Sequence, residues 1–146
     1  MTKIKYPLAK DTIDKNDIMS LSEWLLEDPT PKLTKGDLTI QFEKEWAEYI
    51  GSKYAGFCNS GSSANLLMTY AAILSKKFLR NKKIVVPSVG WITTISPAIQ
   101  FGLEPIMVGA DPATYGINLS QLESICIDHR PQFVIFVQVL GIPHYK

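Results

Sequence analysis

Apolar positions along the first third of the chain recur at helical spacing. From Asp14 to Glu27, Ile18, Leu21, Trp24 and Leu25 fall on one face, and Asp28-Pro29-Thr30-Pro31 ends the helix, since proline lacks an amide donor and disfavours a helical residue before it. Leu33-Thr34-Lys35-Gly36 reads as a surface turn. A second helix follows, with Phe42, Trp46, Tyr49 and Ile50 on one side, Glu43, Glu45 and Glu48 on the other, and Gly51 as its stop. From residue 53 the texture changes to alternating strands and helices. Tyr54 to Cys58 is short and apolar enough for a buried strand, and Asn59-Ser60-Gly61-Ser62-Ser63 supplies the turn and cap residues that start a helix carrying Leu67, Tyr70, Leu74 and Phe78 at helical spacing. Ala64, Ala71 and Ala72 let that helix pack closely on a sheet.

The pattern continues with a strand Ile84-Val85-Val86 closed by Pro87, a helix from Thr93 to Gln100 stopped by Gly102, and a strand Pro105-Ile106-Met107-Val108. Asn118 and Gln121 resemble a capping box for a helix with Leu119, Leu122 and Ile125 inward. Phe133 to Val139 is almost continuously apolar, which predicts a strand covered on both faces. Strand and helix in alternation with short connections predict an α/β fold with a doubly wound, mostly parallel sheet, because parallel neighbours need a crossover. The expected organisation is a helical segment over residues 1–52 and an α/β unit over 53–146, with no closing helix after Gly141-Ile142-Pro143.

With 146 residues and 46% hydrophobic side chains, the chain has the size and composition of one soluble domain or a piece of a larger one. No apolar run approaches the roughly 18–20 residues that cross a bilayer, and Met1 to Lys5 leads into Tyr6-Pro7 rather than an apolar signal core, so a cytoplasmic protein without membrane partners is expected. Cys58 and Cys126 have no metal-ligand or redox spacing and read as small apolar groups. The net charge of +1 is uneven: residues 51–100 hold six basic side chains and no acid. Most of that excess is Lys76, Lys77, Arg80, Lys82 and Lys83, which follow a helical stretch whose C-terminal dipole favours cations. Aromatic residues other than Phe78 do not alternate with them, so no nucleic-acid partner is expected.

In an open parallel sheet, ligands sit beyond the carboxyl ends of the strands, an edge reached by residues 59–65, 87–94 and 138–143. A helix starting at Gly61-Ser62-Ser63 presents free amides and its positive dipole end to an anion, with hydroxyls as extra donors. The same residues also serve as plain caps, so alone they leave cap and phosphate cradle both open. Trp91, just after a strand end and Gly90, offers either a packing residue or a flat apolar face for an aromatic ligand. Together, cradle and platform suggest a phosphorylated heteroaromatic cofactor. His129 and His144 have no partner at catalytic or metal spacing, no Gly-x-Ser-x-Gly elbow is present, and the stretch from Tyr49 to Leu103 contains no acid.

The run from Asn59 to Leu67 followed by Val86-Pro87-Ser88-Val89-Gly90-Trp91-Ile92-Thr93-Thr94 resembles the DegT/DnrJ/StrS family of pyridoxal-phosphate-dependent nucleotide-sugar aminotransferases. The similarity continues through Ser96 to Pro105, Asp111-Pro112-Ala113-Thr114-Tyr115 and Val137-Gln138-Val139-Leu140-Gly141, and upstream in Leu33-Thr34-Lys35-Gly36 and Phe42-Glu43. Tyr6-Pro7-Leu8-Ala9 and Ser63-Ala64-Asn65-Leu66-Leu67-Met68 look especially like the branch that includes the sugar 3-dehydratases. Gly109 and Gly116 depart from the family pattern, which commonly has an acid and a polar residue there. The resemblance implies the three-layer α/β/α large domain of a fold-type I enzyme, in truncated form. It also implies pyridoxal 5'-phosphate as cofactor, with Gly61, Ser62 and Ser63 on its phosphate and Trp91 stacked on its ring. Thr34 and Lys35 would lie near the substrate at the active-site mouth, in a homodimer that builds its sites at the subunit interface.

By the same resemblance, the complete enzyme transfers an amino group from glutamate to a keto-sugar nucleotide in polysaccharide or deoxysugar biosynthesis. The alternative is a nucleotide-sugar 3-dehydratase using the same cofactor; a non-catalytic remnant or binding module is a third reading. The first two differ in whether a lysine or a histidine faces the cofactor, and the resemblance places that residue, and the acid that pairs with the pyridinium nitrogen, beyond Lys146. No catalytic residue is therefore expected within these 146 residues, and the chain alone is expected to be inactive.

Overall fold

A computed structural model describes residues 10–75 and 81–142. The motif Tyr6 to Ala9, the side chains Lys76, Lys77, Phe78 and Arg80, and His144 to Lys146 lie outside these residues. The chain divides into two compact units, Met1–Phe57 and Cys58–Lys146.

Among the described residues, the first unit holds two helices, α1 (Lys15–Leu25) and α2 (Asp37–Ile50). Asp14 starts α1 with a full capping box: its carboxylate accepts from Asn16 N at 2.7 Å and Asp17 N at 3.1 Å, and the Asp17 carboxylate accepts from Asp14 N at 2.9 Å. The predicted stripe exists, yet no residue of α1 is buried, so its apolar face has no described partner within the unit. Helix α2 has Gly36 as its N-cap, upstream of the aromatic face that signals it, and Gly51 as its C-cap in the left-handed conformation at φ 71°. Its face is an aromatic ridge, with Phe42 stacked on Trp46 at 6.1 Å and Phe57 edge-on to Phe42 at 5.6 Å.

The strand expected over Tyr54 to Cys58 does not form; Tyr54 is 77% and Phe57 62% exposed. A strand needs a neighbour, and among the described residues this segment pairs with none. Its polar groups turn elsewhere: Ser52 Oγ donates to Tyr54 O at 2.9 Å, and Phe57 N donates to Glu43 Oε1 at 2.9 Å.

The second unit is a three-layer α/β/α arrangement. Its strands β1 (Lys83–Pro87), β2 (Glu104–Val108) and β3 (Phe133–Val134) form a parallel sheet in the order β2-β1-β3. Successive side chains of β1 point to opposite faces. Ile84 and Val86 pack under α4 (Ile92–Gln100) with Ala98 and Leu103, and Ile73 of α3 (Gly61–Leu74) joins them. Val85 meets Val108, Ile117 and Ile125 on the opposite face, the last from α5 (Leu119–His129). Val85 and Val86 are fully buried, each contributing about 2 kcal/mol by removal from water. Asn118 caps α5 by accepting from Gln121 N at 2.9 Å. The reciprocal half of the box is not made, because Gln121 Oε1 accepts from Gly109 N at 2.6 Å instead.

Two expectations change here. Only Phe133 and Val134 of the predicted strand 133–139 enter the ladder, extended by the bond from Ile135 N to Val85 O at 2.9 Å; Val139–Gly141 then forms a 3-10 turn. Residues 133–135 are half-buried rather than covered on both faces. The ladder stops because the next bond in this register would need an N–H from Pro87 to the Ile135 carbonyl, and proline has none. Helix α3 also turns a different face inward. Thr69, Ala72 and Ile73 face the core, while Leu67 is 57% exposed and Leu74 is exposed too. Its apolar residues lie on almost every side, and the small residues permit the closer approach.

Candidate functional site

The turn Asn59–Ser60 delivers the chain into α3. Ser60 is the N-cap, its Oγ accepting from Ser63 N at 3.2 Å. The Ser63 hydroxyl is spent locally, donating to Asn59 Oδ1 at 2.7 Å. The amides of Gly61 and Ser62 have no acceptor among the described residues, as expected for the first turn of a helix. Gly61 has open space where a side chain would be, with no heavy atom within 4 Å of an added Cβ. Ser62 is exposed beside it.

Trp91 is the N-cap of α4, reached from the end of β1 through Ser88, Val89 and Gly90. Its side chain is 77% exposed, and its carbonyl accepts from Thr94 N at 2.9 Å. A hydrogen bond from Asn65 Nδ2 to Thr93 O at 3.2 Å joins the start of α4 to the start of α3. Two helix N-termini thus meet at the carboxyl edge of the sheet, within a stretch that contains no acid between Tyr49 and Leu103. The arrangement can bind an anion at the α3 amides and offer an indole face to a flat ring. Open space at Gly61, two free amides and a bare indole fit a phosphate-bearing heteroaromatic group.

Gly61, Ser62, Ser63 and Trp91 all lie in the second unit, and Thr34 and Lys35 in the first. Lys35 has a left-handed backbone at φ 35°, and its Nζ lies 3.5 Å from Glu43 Oε2. The Glu43 carboxyl is held below its ordinary value, first by the N–H of Phe57, against the opposing effect of burial, with the Lys35 ammonium adding to the lowering. Among the described residues no group of His, Cys, Asp and Glu side chains could hold a metal ion, and no helix is long and apolar enough to cross a membrane. Cys58 and Cys126 are free and half-buried.

Sequence reasoning gave no role to Asn65. Its signal is indirect: Pro97 stands four residues after Thr93 and leaves that carbonyl without its helical donor.

The family described as DegT/DnrJ/EryC1/StrS aminotransferase matches residues 12–144. GDP-4-keto-6-deoxy-D-mannose 3-dehydratase of Yersinia pseudotuberculosis is 37% identical over 97% of this chain and 35% of its own length. GDP-perosamine synthase of Caulobacter vibrioides is 28% identical over 92% of this chain and 34% of its own. Among solved structures, the E. coli GDP-4-keto-6-deoxy-D-mannose-3-dehydratase with bound hydrated PLP is similar with a TM-score of 0.70 and 36% identity, over 83% of this chain and 31% of that one. The chain spans about a third of the length of the curated relatives it matches.

Proposed function

The chain belongs to the DegT/DnrJ/EryC1/StrS aminotransferase family, and on that premise we propose that it is the N-terminal, cofactor-binding part of a pyridoxal-phosphate enzyme acting on a nucleotide-linked keto sugar. Its three-layer α/β/α unit is the large-domain architecture of fold-type I pyridoxal-phosphate enzymes. The observation that carries the proposal is the pair of free amides at Gly61 and Ser62 beside open space, tied through α4 to an exposed Trp91. Gly61 and Ser62 would hold the phosphate, Ser63 would brace the turn through Asn59, and the Trp91 indole would cover the ring and keep water from that face. Bound there, the cofactor supplies an electron sink for chemistry next to the sugar carbonyl. This part of the protein binds and orients. The groups that move protons would come from outside these residues.

The 3-dehydratase reading now stands ahead of amino transfer. Greater identity to a 3-dehydratase, 37% against 28% for the perosamine synthase, supports that order. In either reading the complete enzyme is a homodimer taking a nucleotide sugar and glutamate, with Thr34 and Lys35 near the substrate. The test is a titration of the 146-residue chain with pyridoxal 5'-phosphate, followed by absorbance. A saturable shift that Trp91→Ala weakens supports the site; no shift, or one indifferent to Trp91, overturns it.

A further inference from the structure

Pro97 lies inside α4, four residues after Thr93. In an α-helix the carbonyl of one residue accepts from the N–H four residues on, and proline has none, so Thr93 O is left without that donor. A half-buried carbonyl left unpaired where α4 meets α3 is costly, which makes a replacement donor valuable. Asn65 Nδ2 is that replacement, at 3.2 Å from Thr93 O. Asn65 is itself well anchored: it is half-buried, and its backbone carbonyl accepts from the buried Thr69 Oγ1 at 2.8 Å.

Position gives this bond a consequence beyond helix packing. Asn65 is one turn into α3 from the Gly61 and Ser62 amides, and Thr93 is two residues past Trp91. The Trp91 ring is in no aromatic pair among the described residues, and its side chain is mostly exposed. What orients Trp91 is therefore the backbone at the start of α4, and Asn65 ties that backbone to α3.

We propose that Asn65 is a positioning residue: by replacing the amide that Pro97 lacks, it fixes the first turn of α4 against α3 and so sets the Trp91 indole relative to the Gly61 and Ser62 amides. The proposal rests on reading these residues as one ligand site. It assigns the serines and glycine to phosphate affinity, and Asn65 to the gain contributed by the ring.

The decisive experiment follows the indole N–H signal of Trp91 in the full chain by 15N NMR, with Trp91→Phe identifying it and Trp24 and Trp46 as internal controls. Asn65→Ala removes the donor, and Asn65→Asp keeps its size but has no N–H to give. In both variants the Trp91 signal is expected to shift and its order parameter to fall, while Trp24 and Trp46 stay unchanged. A Trp91 signal unchanged in Asn65→Asp overturns the proposal even if Asn65→Ala does not fold.

Ligand titrations then test the functional half. In Asn65→Ala, affinity for pyridoxal 5'-phosphate is expected to fall roughly three- to tenfold, as for loss of one hydrogen bond, while affinity for inorganic phosphate is unchanged. Combined with Trp91→Ala, the Asn65→Ala loss is expected to vanish, because both act through the same ring. Additive losses, or an equal loss for inorganic phosphate, overturn the positioning role. If the unaltered chain binds no pyridoxal 5'-phosphate, the proposed function fails, and the indole signal still decides whether Asn65 sets Trp91.

Discussion

Phe57 donates its backbone N–H to Glu43 Oε1 at 2.9 Å, while the other carboxylate oxygen lies 3.5 Å from Lys35 Nζ. One side chain of α2 thus holds two irregular segments, the 33–36 turn and the stretch that fails to become a strand. A carboxylate held below its ordinary value of 4.5 binds protons less readily in the folded state than in the unfolded one. Its stabilising contribution is full above the ordinary glutamate range and is lost as pH falls through the lowered folded-state value. Amide exchange at Phe57 is therefore expected to quicken at acid pH beyond the intrinsic trend, and Glu43→Ala to show that faster exchange at neutral pH. Glu43→Gln keeps a carbonyl acceptor for Phe57 and is expected to behave like the unaltered chain at neutral pH and to lose the acid step. An acid step that survives in Glu43→Gln would assign it to another group.

Gly109 donates its N–H to Gln121 Oε1 at 2.6 Å. A Cβ at position 109 would stand 2.9 Å from that oxygen, the far end of a flexible side chain. Gly109→Ala is expected to displace Gln121 and cost about 1 kcal/mol, and Gln121→Ala to cost about the same, because each removes one hydrogen bond. The double variant should cost little more than either single one, since both break the same contact. Denaturant midpoints of the four proteins check this, and simple addition of the two losses rules it out.

How much of this was legible in the sequence depends on how local each feature is. Asp14, Gly51 and Asn118 mark helix ends through bonds or backbone conformations within a few residues, and all three stand where the pattern put them. The strands β1 and β2 were equally readable. Residues 54–58 and 133–139 look like strands, but a strand is defined by its neighbour, and only Phe133 and Val134 find one. Gly61 to Ser63 and Trp91 announced themselves through turn chemistry and an unusual place for a tryptophan. Asn65 did not, because its role depends on an amide missing from another helix.

The same distinction predicts different responses to truncation in β1 and α3. Ile84→Ala is expected to cost about 2–5 kcal/mol, since Ile84 of β1 is 1% exposed under α3 and α4. Leu67→Ala is expected to change stability by no more than about 0.5 kcal/mol, as for an exposed side chain with ordinary helix propensity. Thermal or denaturant unfolding of the two variants compares them directly. A Leu67→Ala loss rivalling that of Ile84→Ala would mean that the exposed face of α3 is covered in solution.

Gly61 separates folding from ligand binding. Its backbone is not left-handed, and nothing lies within 4 Å of an added Cβ, so the fold has no need of glycine there. Alanine in the first turn of a helix loses less chain entropy than glycine, so Gly61→Ala is expected to be neutral or stabilising by up to about 1 kcal/mol. The new methyl would nevertheless occupy the space beside the free amides of Gly61 and Ser62. Affinity for inorganic phosphate and for pyridoxal 5'-phosphate is expected to fall together by about tenfold, equivalent to roughly 1.4 kcal/mol. Unfolding curves and the two titrations on one preparation decide the matter: unchanged affinity in a folded Gly61→Ala chain would place the anion elsewhere. A loss of stability would instead mean that the glycine serves the backbone.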